Sequence, residues 1–329
     1  MKKLFYWLFF GALFLGIIWS YQYFVSSVRT AADPKNNDRV IFKVEPGMVA
    51  RDVAEALEEK GLIKTDTVFM FYLKRKGLSE KIKAGTFVLS AGQSPAEIAE
   101  ALAAGRSQEL SVTLLEGWTL AQMAEHLENL ELTTKEKIMD CVKTCVFDFD
   151  FLPSKSPEGY LYPDTYFVDP VTFSEQGFIR RLVQTFRNKL EDDWSAILKS
   201  PRTLEQIVIL ASIVEREERD PVERPRVAGI LWKRLDANRG LDADATILYA
   251  LGRTKGGLSY SDLQVDSLYN TRKYRGLPPG PISNPSVSSL RAALYPESTP
   301  YWYYLHDSEG NVHYGKTLEE HNENKAKYL

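Results

Sequence analysis

The chain has 329 residues with 41 basic and 44 acidic side chains, a net charge of −3, and no basic stretch beyond scattered pairs. That balance excludes the electrostatic footprint of a nucleic-acid binder. Two cysteines and four scattered histidines make neither a disulfide framework nor a metal-ligand cluster, so no metal is expected.

Residues 4–28 carry no charge and are rich in Leu, Phe, Ile and Trp, long enough to span a bilayer as one helix. Lys2 and Lys3 precede the run, and Trp7, Trp19, Tyr21 and Tyr23 sit toward its ends. This pattern predicts an anchor with a cytoplasmic N-terminus and everything after it exported. A cleaved signal peptide competes, with Thr30-Ala31-Ala32 as a small-residue site, but the apolar core is longer than a usual signal h-region. About 300 residues remain, enough for two domains with a real core. Residues 30–39 are polar and read as a short tether.

An internal repeat follows: Gly-x5-[Val/Ile/Met]-Ala-Glu-x-Leu, from Gly47 through Val53-Ala54-Glu55 to Leu57, from Gly92 to Leu102, and from Gly117 to Leu127. Each copy predicts a Gly turn and a short helix after an extended segment, such as 40–44 or 111–114. With a helix over 66–75 and a strand over 85–89, residues 40–105 make a small module. Packing unit and binding module are both open at this point. Cys141 and Cys145 share one face of an intact helix in poor geometry for a bridge; in an oxidising compartment they pair only if that segment is irregular.

The second block carries Glu158-Gly-Tyr-Leu-Tyr-Pro-Asp164-Thr-Tyr166, aromatic rings beside carboxyl and hydroxyl groups, which suit either a sugar groove or a core corner. Helices are predicted over 175–190 and 224–234. Between them a long apolar helical run, Ile207 to Val214, meets Glu215 on the stripe of Leu204, Val208 and Ala211. A carboxyl held against apolar walls stays protonated toward neutral pH and can act as a general acid. A bland reading is a first-exposed Glu where a core helix meets solvent. Glu218 lies near the same stripe, so periodicity does not choose between the two, and Glu217 falls to the side. The last third is turn-rich around Asp242 to Thr246, Tyr269-Asn270-Thr271 and Gly276-Leu-Pro-Pro-Gly-Pro-Ile282. So much Pro and Gly predicts rigid, shaped loops, flanked by a helix over 288–294 and a strand over 301–305.

Taken together, Glu158 to Tyr166, Ala211-Ser-Ile-Val-Glu-Arg-Glu217, Arg234-Leu235, Asp244 with Thr246, Tyr269-Asn-Thr271, the Gly276 to Ile282 run and Asn284-Pro285 resemble the YceG-like endolytic murein transglycosylases, also called membrane-bound lytic transglycosylase G. The resemblance runs from the anchor to the C-terminus. It implies an α+β fold divided into a membrane anchor (1–29), the tether (30–39), a LysM-like peptidoglycan-binding module (40–106) and a transglycosylase domain (107–329). The implied reaction is non-hydrolytic cleavage of MurNAc-β-1,4-GlcNAc bonds in nascent glycan strands to give 1,6-anhydro ends, without a cofactor, at the outer face of the cytoplasmic membrane. There it would end glycan polymerisation, and its partners would include the glycan strands and the glycan synthases.

Carried over residue by residue, the catalytic Glu falls on Glu215, with Asp164, Tyr166, Asp244, Asn270 and Tyr274 as substrate contacts or orienting groups. Two departures stand out. The family usually has Pro after the Asp matching Asp244 and often Gln two places before it, where this chain has Ala245 and Asp242. The rival reading is a membrane-tethered, non-catalytic glycan-binding protein. The feature that separates the two is whether Glu215 opens into a groove with Asp244 and the 276–282 loop.

Overall fold

The computed structural model describes residues 2–105, 109–153, 156–170 and 172–329, with side chains from residue 14 onward except residue 17. The chain divides into two compact units, one formed by 1–112 with 166–173 and the other by 113–165 with 174–329. The fold is mixed α+β, with many helices and, among the described residues, three two-stranded sheets.

The first unit opens with α1 (Lys2–Arg29). The anchor expected over 4–28 falls largely on side chains outside the described residues; among the described residues no helix is long and apolar enough to cross a membrane. The last turns of α1 pack on the unit itself: Val28 is buried and the Phe24 ring meets Phe71 edge-on at 4.6 Å. The segment expected as a tether is held too, with the Asp33 N–H donating to Ala91 O at 2.9 Å.

The repeat is visible as strand, turn and helix. Strand β1 (Arg39–Val44) leads through Gly47, at φ +96°, into α2 (Ala50–Glu59). After α3 (Asp66–Lys76), β2 (Gly85–Ser90) leads into α4 (Pro95–Ala104). The two strands pair antiparallel with Phe42 opposite Phe87. Ser94 caps α4 by accepting from Glu97 N while the Glu97 carboxylate accepts from Ser94 N at 2.8 Å, a reciprocal capping box. Each Val/Ile-Ala-x-x-Leu triplet points inward: Val53, Ala54 and Leu57, then Ile98, Ala99 and Leu102, are sealed in one core with Phe42, Phe69 and Phe87. Strands β3 (Leu110–Thr113) and β4 (Thr165–Val168) form the second sheet.

The second unit begins with α5 (Leu120–Asn129), the third copy of the repeat, where Met123, Ala124 and Leu127 are buried and Thr119 with Gln122 forms the capping box. Helix α6 (Lys135–Thr144) ends one residue before Cys145, which is extended at φ −74°, ψ 144°. Cys141 and Cys145 are therefore bridged, with Cα atoms 4.8 Å apart. The helix end supplies the irregularity that the i,i+4 spacing needed.

Helices α7 (Glu175–Lys189) and α8 (Trp194–Lys199) precede the central helix α9 (Leu204–Glu217). Every residue from Ile207 to Val214 is buried. Such a helix is apolar all round because it lies inside the core rather than on its surface. Helices α10 (Arg224–Asp236), α11 (Asp244–Ala250) and α12 (Val287–Leu294) surround it. A hairpin of β5 (Tyr303–His306) and β6 (Val312–Gly315), then α13 (Leu318–Tyr328), complete the unit.

Three of the motifs meet at Asn284. Its Oδ1 accepts from Gly159 N and Leu161 N at 2.8 and 3.0 Å, while its Nδ2 donates to Trp118 O and to Glu158 Oε1. Ser212 of α9 receives Ile282 N at 3.0 Å. The 276–282 loop, expected to wall a groove, thus ends packed against α9, with Ile282 buried.

Candidate active site

Helix α9 stops because Glu218 turns extended, at φ −125°, ψ 120°. Four successive charged side chains there are taken up by four different sets of partners. Glu215 Oε1 accepts from Arg224 Nη2 at 3.0 Å, and its Oε2 accepts from Ser286 N at 2.9 Å and Ser286 Oγ at 2.6 Å. Arg216 donates to the carbonyls of Gly117 and Thr254. Glu217 Oε2 accepts from the Tyr304 hydroxyl at 3.1 Å, and its Oε1 accepts a long bond from Ala245 N at 3.4 Å. Glu218 Oε2 meets His306 Nε2 at 3.0 Å, and its Oε1 accepts from Asp220 N.

The surroundings of Glu215 differ from the apolar walls expected from the sequence. Its walls are a guanidinium, an N–H and a hydroxyl rather than apolar side chains, and Arg224 is itself fixed by donating to Glu218 O and Ser286 Oγ. Glu215 joins α9 to the starts of α10 and α12. The cavity that holds Asp244 holds Glu217, not Glu215. That cavity is about 380 Å³; Glu217, Asp242 and Asp244 face Arg234 and Arg272 in it, with Tyr304 and His306 of β5 on one wall and Lys325 of α13 on another.

Burial pushes the Glu217 carboxyl above the ordinary carboxylate range, and the charge of Asp244 pushes the same way. The Ala245 N–H, Tyr304 and His306 offset only part of this. Ala245 stands where the resemblance expects Pro, and only because it is not Pro does it have an N–H to give. Burial also opposes ionisation of Glu218, but the His306 hydrogen bond, the Asp220 N–H, the charge of His306 and the Arg219 N–H together outweigh it and hold that carboxyl low, while the contact with Glu218 raises His306.

The other residues singled out from sequence fall as follows. Asp244 opens α11 and is paired with Arg272 at 2.6 Å on the cavity rim. Asp164 is half-exposed and paired with Lys189 at 3.0 Å. Tyr166 is buried on β4, in the first unit. Asn270 is fully buried, and its amide is spent on the loop: Nδ2 donates to Leu263 O and Val265 O, and Oδ1 accepts from Arg272 N. These bonds all lie within the loop. The Tyr274 hydroxyl donates to Asp266 at 2.5 Å. Only Asp244 of these five lines the cavity with Glu217. Sequence reasoning passed over Tyr304, His306 and Glu217 itself. Among the described residues no group of three His, Cys, Asp or Glu side chains is disposed to hold a metal.

A larger cleft of about 940 Å³ lies between Phe149, Phe151, Trp194 and Leu204. Two cations line it: Arg187 is stacked on Trp194 at 4.0 Å and Arg202 on Trp232 at 4.4 Å.

Comparison with known proteins agrees with the motif pattern. The YceG-like family model matches residues 42–327. An endolytic murein transglycosylase of Bacillus subtilis is 33% identical over 310 residues, covering 88% of this chain and 85% of its own length. One from Streptococcus pneumoniae is 27% identical; 98% of this chain matches 64% of that longer protein. A crystal structure of a YceG-like protein from Listeria monocytogenes superposes with a TM-score of 0.60 at 31% identity, over 87% of this chain and 99% of that one. The chain belongs to the YceG-like family.

Proposed function

We propose that this protein is a lytic transglycosylase that cleaves MurNAc-β-1,4-GlcNAc bonds within peptidoglycan glycan strands, and that Glu217 is its acid and then its base. The observation that carries the residue assignment is a carboxyl raised by burial, facing a cavity and oriented by two donors. The reaction class is supported by the relatives named endolytic murein transglycosylase.

Protonated Glu217 gives its proton to the glycosidic oxygen as the C1–O bond breaks. The sugar's C6 hydroxyl then closes on C1, and the Glu217 carboxylate takes the hydroxyl proton. The acid ends as it began, so one carboxyl suffices and the second carboxylate of a hydrolase is not needed. Asp244 both raises the acid and offers a rim contact to sugar hydroxyls.

The finer reading follows the sequence. Residues 4–28 form a single membrane-spanning helix with its N-terminus in the cytoplasm, 40–106 a LysM-like glycan-binding module, and 107–329 the catalytic domain outside the membrane. There it cuts strands as synthases extend them. Support comes from the uncharged run with Lys2 and Lys3 before it and from the β-turn-α repeat of the first unit.

The test is mass spectrometry of products from uncrosslinked glycan strands treated with the detergent-solubilised full chain, beside Glu217→Gln and Glu215→Gln. Anhydro ends from the wild type and Glu215→Gln but not from Glu217→Gln are expected. Anhydro ends lost only in Glu215→Gln would return the assignment to Glu215, reducing ends would make the protein a hydrolase, and intact strands throughout would make it a tethered binding protein.

A further inference from the structure

Two side chains of the hairpin of β5 and β6 are bonded to acids at the end of α9. Tyr304 and His306 are two residues apart on β5, so their side chains leave the same face of the strand. They reach the neighbouring carboxyls Glu217 and Glu218 at 3.1 and 3.0 Å. On the paired strand, Tyr314, opposite Tyr304, donates to Glu223 at 2.6 Å. Glu223 is the cap residue of α10, so the hairpin is tied on both sides of the bend between α9 and α10.

A buried phenol needs some partner, but here the partner is a carboxyl that lines the cavity, and the phenol lines that cavity too. Glu217 lies at the last turn of its helix, where the backbone gives a long side chain little restraint. Without a second grip, its carboxyl has several rotamers to visit.

We infer that β5 is a two-point clamp in which Tyr304 fixes the Glu217 carboxyl through Oε2 and His306 fixes the adjacent Glu218, holding Glu217 in the one orientation that presents its proton to the cavity. Tyr304 and His306 are positioning residues that need not touch the sugar. The inference rests on the reading of Glu217 as the acid. The Ala245 N–H on Oε1 completes the hold, so each carboxyl oxygen receives one donor.

The experiment measures kcat and KM for release of anhydro-ended fragments by the full chain and by Tyr304→Phe, His306→Ala, His306→Gln and Glu217→Gln, with thermal melting of each. Tyr304→Phe removes one hydroxyl and keeps the ring; a kcat loss of about 10- to 100-fold with KM within about twofold is expected, the scale of a misoriented catalytic group. His306→Ala lowers kcat in the same sense, and His306→Gln, whose amide nitrogen can stand in for Nε2, restores most of it. Wild-type kcat in both Tyr304→Phe and His306→Ala, with Glu217→Gln inactive, overturns the clamp and leaves the acid assignment standing. An active Glu217→Gln overturns the acid assignment and the clamp with it. Should Tyr304→Phe fail to fold, the pair His306→Ala and His306→Gln decides: a loss rescued by Gln supports the clamp, and a loss equal in both variants or no loss in either overturns it.

Discussion

Glu215 and Arg224 form an ion pair at 3.0 Å whose side chains are only 5% and 7% exposed. Ser286 supplies the other carboxylate oxygen with two donors. Removing one partner of such a pair leaves an uncompensated buried charge, which costs about 3–5 kcal/mol. Glu215→Ala and Arg224→Ala should each lower unfolding free energy by about that much in urea titration, whereas Glu217→Gln, next to the cavity, should stay within about 1 kcal/mol of wild type. Equal losses in all three would remove the distinction between an architectural and a chemical carboxyl.

The proposed role of Glu217 should show in the pH profile. Glu217 titrates above the ordinary carboxylate range, and a general acid works only while protonated. Activity should therefore hold on the acid side and fall as pH rises through the raised value. Ala245→Pro removes the N–H that favours the ionised form, and the second helical position of α11 tolerates Pro. Its falling limb should lie at higher pH than that of the wild type, as read from initial rates between pH 5 and pH 9. An unmoved limb would mean that the 3.4 Å contact has no electrostatic weight.

Glu158 offers a separate titration, in stability. Burial pushes its carboxyl up to about 7 from an unfolded value near 4.5, although Leu120 N, Asn284 and Tyr249 bond to it. An acid raised in the fold favours the protonated native state. The contribution is complete below the unfolded value and is lost as pH climbs toward about 7, by about 3 kcal/mol in all. Denaturant midpoints should fall across that window, and Glu158→Gln should flatten the fall, since its carbonyl can still accept at the Oε1 position used by Leu120 and Asn284.

Gly159 holds φ +89°, and a Cβ there would lie 2.5 Å from Pro281 Cγ and 2.8 Å from Val208 Cγ1. Left-handed strain and overpacking add, so Gly159→Ala should cost about 2–5 kcal/mol. A melting temperature unchanged from wild type would show that the 276–282 loop yields easily.

The disulfide closes a short loop, for which chain entropy gives about 2 kcal/mol. Cys141→Ser with Cys145→Ser should lower the melting temperature by several degrees and leave cleavage rates intact, because the bridge lies at the end of α6, away from the residues of the cavity.

Much of the fold was legible in the residues. The repeat, with its Gly turns and Ala-x-x-Leu faces, located three helices, and Thr203, Thr119 and Ser94 cap helices where the apolar patterns begin. The α9 segment was legible as a helix but not in its orientation. Periodicity selects a face only when the opposite face is polar, and from Ile207 to Val214 there is no polar face to read. Which of Glu215, Glu217 and Glu218 meets the cavity is set by Arg224, Ser286, Tyr304 and His306, up to 88 residues away, and no local pattern carries that. Asn270 misled for a related reason: a polar residue in a Pro- and Gly-rich loop serves a ligand or the loop itself, and only the backbone path through Leu263 and Val265 decides.

The knot at Asn284 also fixes when in the life of the chain this helix becomes competent. A ribosome delivers α9 long before residue 284, and Gly117, Trp118, Gly159 and Leu161 all wait for that one amide and its backbone to arrive. Tyr304 comes later still. A partly synthesised chain thus has Glu217 in sequence but not yet the Tyr304 bond that holds it. The order of synthesis therefore places the closing contacts of this unit well after the helix they brace.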